Sequence, residues 1–164
     1  MGNIQLTSLH DICVMMQVQP NYHFRKATLK DVLFFYEAMC SLEDMYIDDL
    51  EFGNNFKFKM EDASSHLLVI EERDAQQMVG CVVVQSRKNL SDSSAWMEIQ
   101  ELYIVPKFRK FKAADFLYQQ LELYVKEISM HKLKVACRVN STLNQNFYTK
   151  KGFKIEKKTY GKFI

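Results

Sequence analysis

The chain has 164 residues, 48% of them hydrophobic and 13% aromatic, with a formal net charge of +2. That length suffices for one domain with a single core, and the composition excludes a disordered chain. The near-neutral balance argues against wholesale nucleic-acid binding, and no apolar run approaches the roughly 18 residues of a membrane span.

Cysteines at 13, 40, 81 and 137 form no CxxC pair and share no metal-ligand pattern with a histidine, so no metal site is expected. Reduced thiols fit a cytoplasmic compartment. The N-terminus lacks the basic and long apolar regions of a secretory signal. Met1-Gly2 opens like a myristoylation motif, but Leu6 stands where serine or threonine is needed.

Residues 1–21 read as an N-terminal extension. Leu9, Ile12, Cys13 and Met16 sit at helical spacing, so this is a short extra helix or a poorly ordered leader. Residues 22–164 read as one domain. Tyr22 to Lys26 alternates as a first strand. Thr28 with Asp31 resembles a capping box, and Leu29, Val32, Leu33, Tyr36, Met39 and Cys40 mark a helix face. A second helix is expected from about Leu42 to Phe52, ending near Gly53. The apolar runs His66 to Ile70 and Met78 to Val84, joined by polar residues, predict a hairpin. Lys88 to Ser94 is a polar loop. Trp96 to Val105 is a long strand, ended by Pro106, which cannot donate to a ladder. Ala114, Leu117, Tyr118, Leu121, Tyr124, Val125 and Ile128 form the next helical stripe. Lys132 to Val139 reads as a strand, and Thr142 to Lys151 as a short helix closed by Gly152. Phe153 to Ile164 supplies a last strand or hairpin. No repeat or linker interrupts this order.

The segment from Glu98 to Ala114 is a buried strand, a basic turn and the start of an amphipathic helix. Such a helix start points backbone N–H groups and a positive dipole end at one spot, which suits a phosphate or pyrophosphate. Val105, Pro106, Arg109, Lys110, Lys112 and Ala114 match the Val-x-Pro and Arg-Gly-x-Gly-x-Gly/Ala signature of the GNAT N-acetyltransferase superfamily. Phe147, Tyr148, Gly152 and Phe153 match its second signature. The resemblance covers roughly residues 22–164. It implies an α/β (α+β) fold, with a central mixed, mostly antiparallel sheet of six to seven strands. That sheet splays as a V between strands 4 and 5 and is flanked by helices. The Glu98 to Leu102 run and the Cys40 to Asp44 region are also similar to aminoalkylphosphonate N-acetyltransferases.

The resemblance further implies acetyl-CoA (coenzyme A) as cofactor. Its pantetheine arm would pair with the backbone of Leu102, Tyr103, Ile104 and Val105, and an amide near Tyr103 or Ile104 would polarise the thioester carbonyl. The pyrophosphate would lie on the amides of Arg109, Lys110, Phe111, Lys112, Ala113 and Ala114. Lys110 and Lys112 stand where the family favours glycine; they bring point charges to a polyanion, or mark a turn that has lost coenzyme A. Asn140 and Asn144 sit at the mouth of the second motif, with Ser141 where the family usually has asparagine, so Asn144 is the contact or serves its helix start.

Tyr148 aligns with the family's general acid to the leaving thiolate; a phenol with pKa near 10 is protonated at neutral pH. The plain alternative is a packed core tyrosine. Glu98 matches the strand carboxylate used as base, with Glu101 as alternative. Ideal alternation turns Glu101 to the opposite side, unless a bulge intervenes. Glu43, Asp44, Asp48, Asp49 and Glu51 form an acidic run that would overhang the acceptor pocket and attract a cation, or is a solvated helix face. The expected function is acetyl-CoA-dependent N-acetylation of a primary amine of a small molecule by direct attack. The alternatives are a protein or peptide acetyltransferase and a non-catalytic acyl-CoA-binding module. The expected partner is the amine acceptor, with a homodimer in keeping with the family, and neither nucleic acid nor membrane.

Overall fold

The computed structural model describes residues 21–89, 95–137 and 141–156. Five strands form one sheet in sequence order: β1 (Tyr22–Lys26), β2 (Ser65–Glu72), β3 (Gln77–Lys88), β4 (Ala95–Ile104) and β5 (Leu133–Val135). The first three pairings are antiparallel and β4–β5 is parallel. Among the described residues four α-helices accompany it: α1 (Val32–Glu43), α2 (Asp49–Glu61), α3 (Ala113–Glu127) and α4 (Thr142–Lys150).

The apolar runs in β2 and β3 follow from burial on both faces. Leu67, Val69, Cys81, Val83 and Tyr103 pack with Phe35, Ala38 and Phe56 of α1 and α2. Leu68, Ile70, Val82, Val84, Met97 and Ile99 pack with Leu117, Leu121, Tyr124 and Tyr148 of α3 and α4. Each large side chain so buried stabilises the fold by about 1.5–3 kcal/mol. The sheet therefore separates an α1–α2 side from an α3–α4 side.

Several expectations are corrected. The second helix starts and ends later than its pattern suggested. Asp44 adopts a left-handed conformation (φ 52°) and closes α1; Asp48 then caps α2 by accepting from the Glu51 amide at 2.8 Å. Gly53 lies inside α2, because the aromatic stripe continues through Phe52 and Phe56. The sheet has five strands among the described residues, not six or seven. Residues 153–156 carry no strand, and the rest of the expected last hairpin, residues 157–164, lies outside the described residues. So does the N-terminal extension through residue 20. Of the strand expected from 132 to 139 the described residues carry Leu133–Val135, and residues 138 and 139 lie outside the described residues. Gly152 does close its helix, at φ 87°.

Arg25 on β1 locks the chain at the entry to α1. Its guanidinium grips buried Asp31 with two bonds of 2.8 and 2.9 Å and reaches Glu71 on β2 at 3.1 Å. The Thr28 amide donates to the same carboxylate at 2.7 Å. Burial alone would raise the Asp31 pKa; the bonds from Arg25 and Thr28 outweigh it and hold the carboxyl below its ordinary value. A depressed folded pKa stabilises the protein above the unfolded pKa, near 3.9, and that stability is lost as pH falls through the folded value. Asp31→Asn is therefore expected to lower unfolding free energy by about 2 kcal/mol at neutral pH. The deficit should shrink as pH falls below about 4. Urea unfolding across that range measures it, and a deficit independent of pH would refute the assignment.

Candidate active site

The site begins where β5 stops. Met97, Glu98 and Ile99 pair with Leu133, Lys134 and Val135, and beyond them Gln100 to Ile104 have no β5 partner among the described residues. β4 thus carries an open edge over its second half, which is the splay expected between strands 4 and 5. The Val105 amide donates to the Val79 carbonyl at 2.9 Å. Alternation then turns the Tyr103 amide towards β3, opposite Cys81, and presents the Leu102 and Ile104 amides and carbonyls to the open edge. The Ile104 carbonyl accepts from Arg109 Nε at 3.1 Å. On the closed side Gly80 faces Ile104, and a Cβ there would lie 2.6 Å from the Tyr103 carbonyl oxygen.

The basic turn is a 3-10 segment, Pro106–Phe111, whose Phe108 is buried beneath it. Tyr22 of β1 holds it from below. Its ring lies 6.5 Å from Phe108 and 5.4 Å from Phe116, and its hydroxyl donates to the Phe111 carbonyl at 3.4 Å. Lys112 then takes the left-handed conformation, φ 56° and ψ 24°, directly before α3. The first helical bond of α3 runs from the Phe116 amide to the Lys112 carbonyl at 3.0 Å. The amides of Ala113, Ala114 and Asp115 precede it and have no partner within the helix. A right-handed turn followed by a left-handed residue forms a concave nest of amides, the backbone form of an anion site. The shape fits a diphosphate: Ala113 is fully buried, Ala114 is small, and the Lys110 and Lys112 side chains are exposed rather than folded into the nest. Lys107 is engaged with Gln77.

A β-bulge decides where the carboxylates point. Val84 pairs with Ile99 but Val83 pairs with Glu101, so Gln100 is the extra residue. Glu98 lies opposite Gln85 and Glu101 opposite Val83, which puts both on the α1–α2 side of the sheet. Ideal alternation had them on opposite sides; the bulge corrects that. Glu98 pairs with Arg87 at 3.0 Å. Gln100 accepts from Lys59 of α2 at 2.9 Å and donates to Gln85 at 2.8 Å. The acidic residues 43–51 are all exposed where they occur, and they join α1 to α2 on this same side.

Tyr148 lies on the other side, buried on α4 against Phe147 and Phe153 with ring centroids 5.2 and 5.3 Å away. Burial, with smaller contributions from Cys137 and Tyr118, pushes its pKa well above the ordinary phenol value. Asn144 is exposed in the first turn of α4. Asn140 lies outside the described residues. His66 is satisfied by the Tyr124 hydroxyl at 2.8 Å, far along the sheet from the turn. Among the described residues no cluster could hold a metal ion, and no helix is long and apolar enough to cross a membrane. The site contacts of Tyr22, Lys59 and Gln100 escaped the sequence reading, because they join residues distant in the chain; only the aromatic ring of Tyr22 at the head of β1 offered a signal.

A left-handed lysine costs about 1 kcal/mol relative to glycine. Lys112→Gly is expected to raise the unfolding free energy by that order and the melting temperature with it. A variant no more stable than the parent in thermal unfolding would contradict this backbone geometry.

Residues 29–153 match the model of the acetyltransferase (GNAT) family. No match to the chain was found among curated proteins. Solved structures share the fold. An aminoglycoside antibiotic 6'-N-acetyltransferase from Acinetobacter baumannii superposes with a TM-score of 0.73 at 16% identity, over 88% of this chain and 99% of that one. Glucosamine-6-phosphate N-acetyltransferase from Arabidopsis thaliana gives 0.68 at 20% identity, over 87% and 98%. A predicted acetyltransferase from Clostridium acetobutylicum, solved with acetyl-CoA, gives 0.70 at 20% identity, over 87% and 96%. With a family model spanning most of its length and an open β4 edge ending in an amide nest, the chain belongs to the GNAT family of acetyltransferases, whose acetyl donor is acetyl-CoA.

Proposed function

We propose that the protein acetylates a primary amine of a small molecule by direct attack on acetyl-CoA, with Glu101 as base and Tyr148 as acid. The observation that carries this reading is the bulge at Gln100, beside the point where β5 pairing ends. Acetyl-CoA supplies an activated acyl carbon and a thiol leaving group. The Leu102 and Ile104 amides, aimed off the open edge, can donate to an acyl oxygen lying along it. The nest at Arg109 to Asp115 can receive a diphosphate, and the exposed charges of Lys110 and Lys112 add long-range attraction.

An alkylammonium must lose a proton before it attacks. Glu101 lies beyond the last β5 pair, level with the open edge, whereas Glu98 lies within the paired stretch. That favours Glu101 for the proton and leaves Glu98 the supporting charge. Tyr148 stands on the opposite side of the sheet, so proton removal from the amine and delivery to sulfur occur on different sides of one slot. Its raised pKa keeps it in the donor form. The acidic link between α1 and α2, on the carboxylate side, favours a cationic acceptor. Thiol release measured with acetyl-CoA and a panel of small amines tests the reading; release only with peptide amines would move it to a protein acetyltransferase.

Tyr148→Phe is expected to reduce kcat by about tenfold or more while the Kd for acetyl-CoA stays within about twofold. Unchanged turnover would remove the acid role. Because the folded pKa is raised, the wild-type rate should show no loss from Tyr148 ionisation below about pH 10. Glu101→Gln is expected to move the rise of kcat/KM to higher pH, whereas Glu98→Gln should lower the rate without moving it. The opposite pattern would exchange their roles.

A further inference from the structure

We propose that Lys151 is a positioning residue for coenzyme A, which neutralises and holds aside the one carboxylate in the first turn of the phosphate-facing helix. The inference rests on the coenzyme A reading above. Asp115 is the third residue of α3, so its carboxylate accompanies the amides of Ala113 and Ala114. At a bare helix start an acid there complements the dipole. At a helix start that must receive a diphosphate it repels the ligand over the same short range.

Lys151 answers this from another element. It stands just past the last residue of α4, and its ammonium bonds the Asp115 carboxylate. The lysine's ammonium lies against two aromatic rings that meet edge-to-face, 5.3 Å from the Tyr118 centroid and 5.6 Å from the Phe147 centroid. Its side chain is only 19% exposed, against 47% for Asp115. A lysine packed against rings is poorly screened by water and is not a mobile surface charge. Its backbone is fixed too: the Lys151 amide donates to the Phe147 and Tyr148 carbonyls at 3.2 and 3.0 Å. The pair therefore joins α4, which carries Tyr148, to the start of α3. A diphosphate in the nest meets a compensated Asp115, with Lys110 and Lys112 on its exposed side.

The test is calorimetric titration of the full chain with acetyl-CoA at low and high salt, using wild type, Lys151→Met, Asp115→Asn and the double variant. Methionine keeps the packing against the rings and removes the charge. Lys151→Met is expected to weaken binding about five- to tenfold at low salt, with the deficit shrinking at high salt. Adding Asp115→Asn should restore affinity to within about twofold of wild type. Asp115→Asn alone, which leaves Lys151 in place, should tighten binding about two- to threefold. That single variant decides the matter even if Lys151→Met folds poorly. Wild-type affinity in Lys151→Met, a double variant as weak as Lys151→Met, or Asp115→Asn binding no tighter than wild type would each overturn the inference. A wild-type protein that binds no acetyl-CoA would instead overturn the coenzyme A reading, and this inference with it.

Discussion

The parallel pairing of β4 with β5 ends after one short stretch, at Ile99 and Val135, and the rest of the site is arranged around that ending. Backbone groups in a sheet interior are normally paired on both edges. Here β4 pairs with β3 along its length and, among the described residues, has no strand partner on its other edge from Gln100 onward. An extended ligand can add itself as a strand to such an edge, using the amides of Leu102 and Ile104. The bulge at Gln100 falls at the same point and turns two carboxylates to one side. The neutral Gln100 side chain, bonded to Lys59 and Gln85, ties α2 to the floor of that side.

The turn after β4 stores its own tension. Most helix starts end in a capping serine, threonine, asparagine or aspartate. α3 starts instead after a left-handed lysine whose side chain caps nothing. Lysine is a poor choice for that backbone and for the positive end of a helix, unless negative charge is to be brought there. Tyr22 and Phe108 supply the packing that holds the turn in place, so β1 at the sheet's far edge helps to shape the anion nest.

Much of this was legible in the sequence. The apolar runs of β2 and β3, the stripe of α3 and the proline at 106 each obey a local rule, and the elements formed where those rules put them. The turn before α3 was legible because proline at 106 and the helical stripe that follows are local features. What local rules missed was set by distant partners. Gly53 looked like a helix end, but the ring packing of Phe52 and Phe56 carried α2 past it. The side on which Glu101 points depends on a register shift against Val83 and Val84, which one strand's alternation does not encode. The partnership of Lys151 with Asp115 crosses between helices that are separate in sequence.

Gly80 carries a consequence of its own. It faces Ile104 at a close, non-hydrogen-bonded position, where a methyl group would meet the Tyr103 carbonyl and the Ile104 side chain at 2.6 Å. Room for a side chain at residue 80 could come only from β4 backing away, towards the gap left by β5. The width of the gap beside β4 is thus governed from behind, by a residue whose whole contribution is to have no side chain.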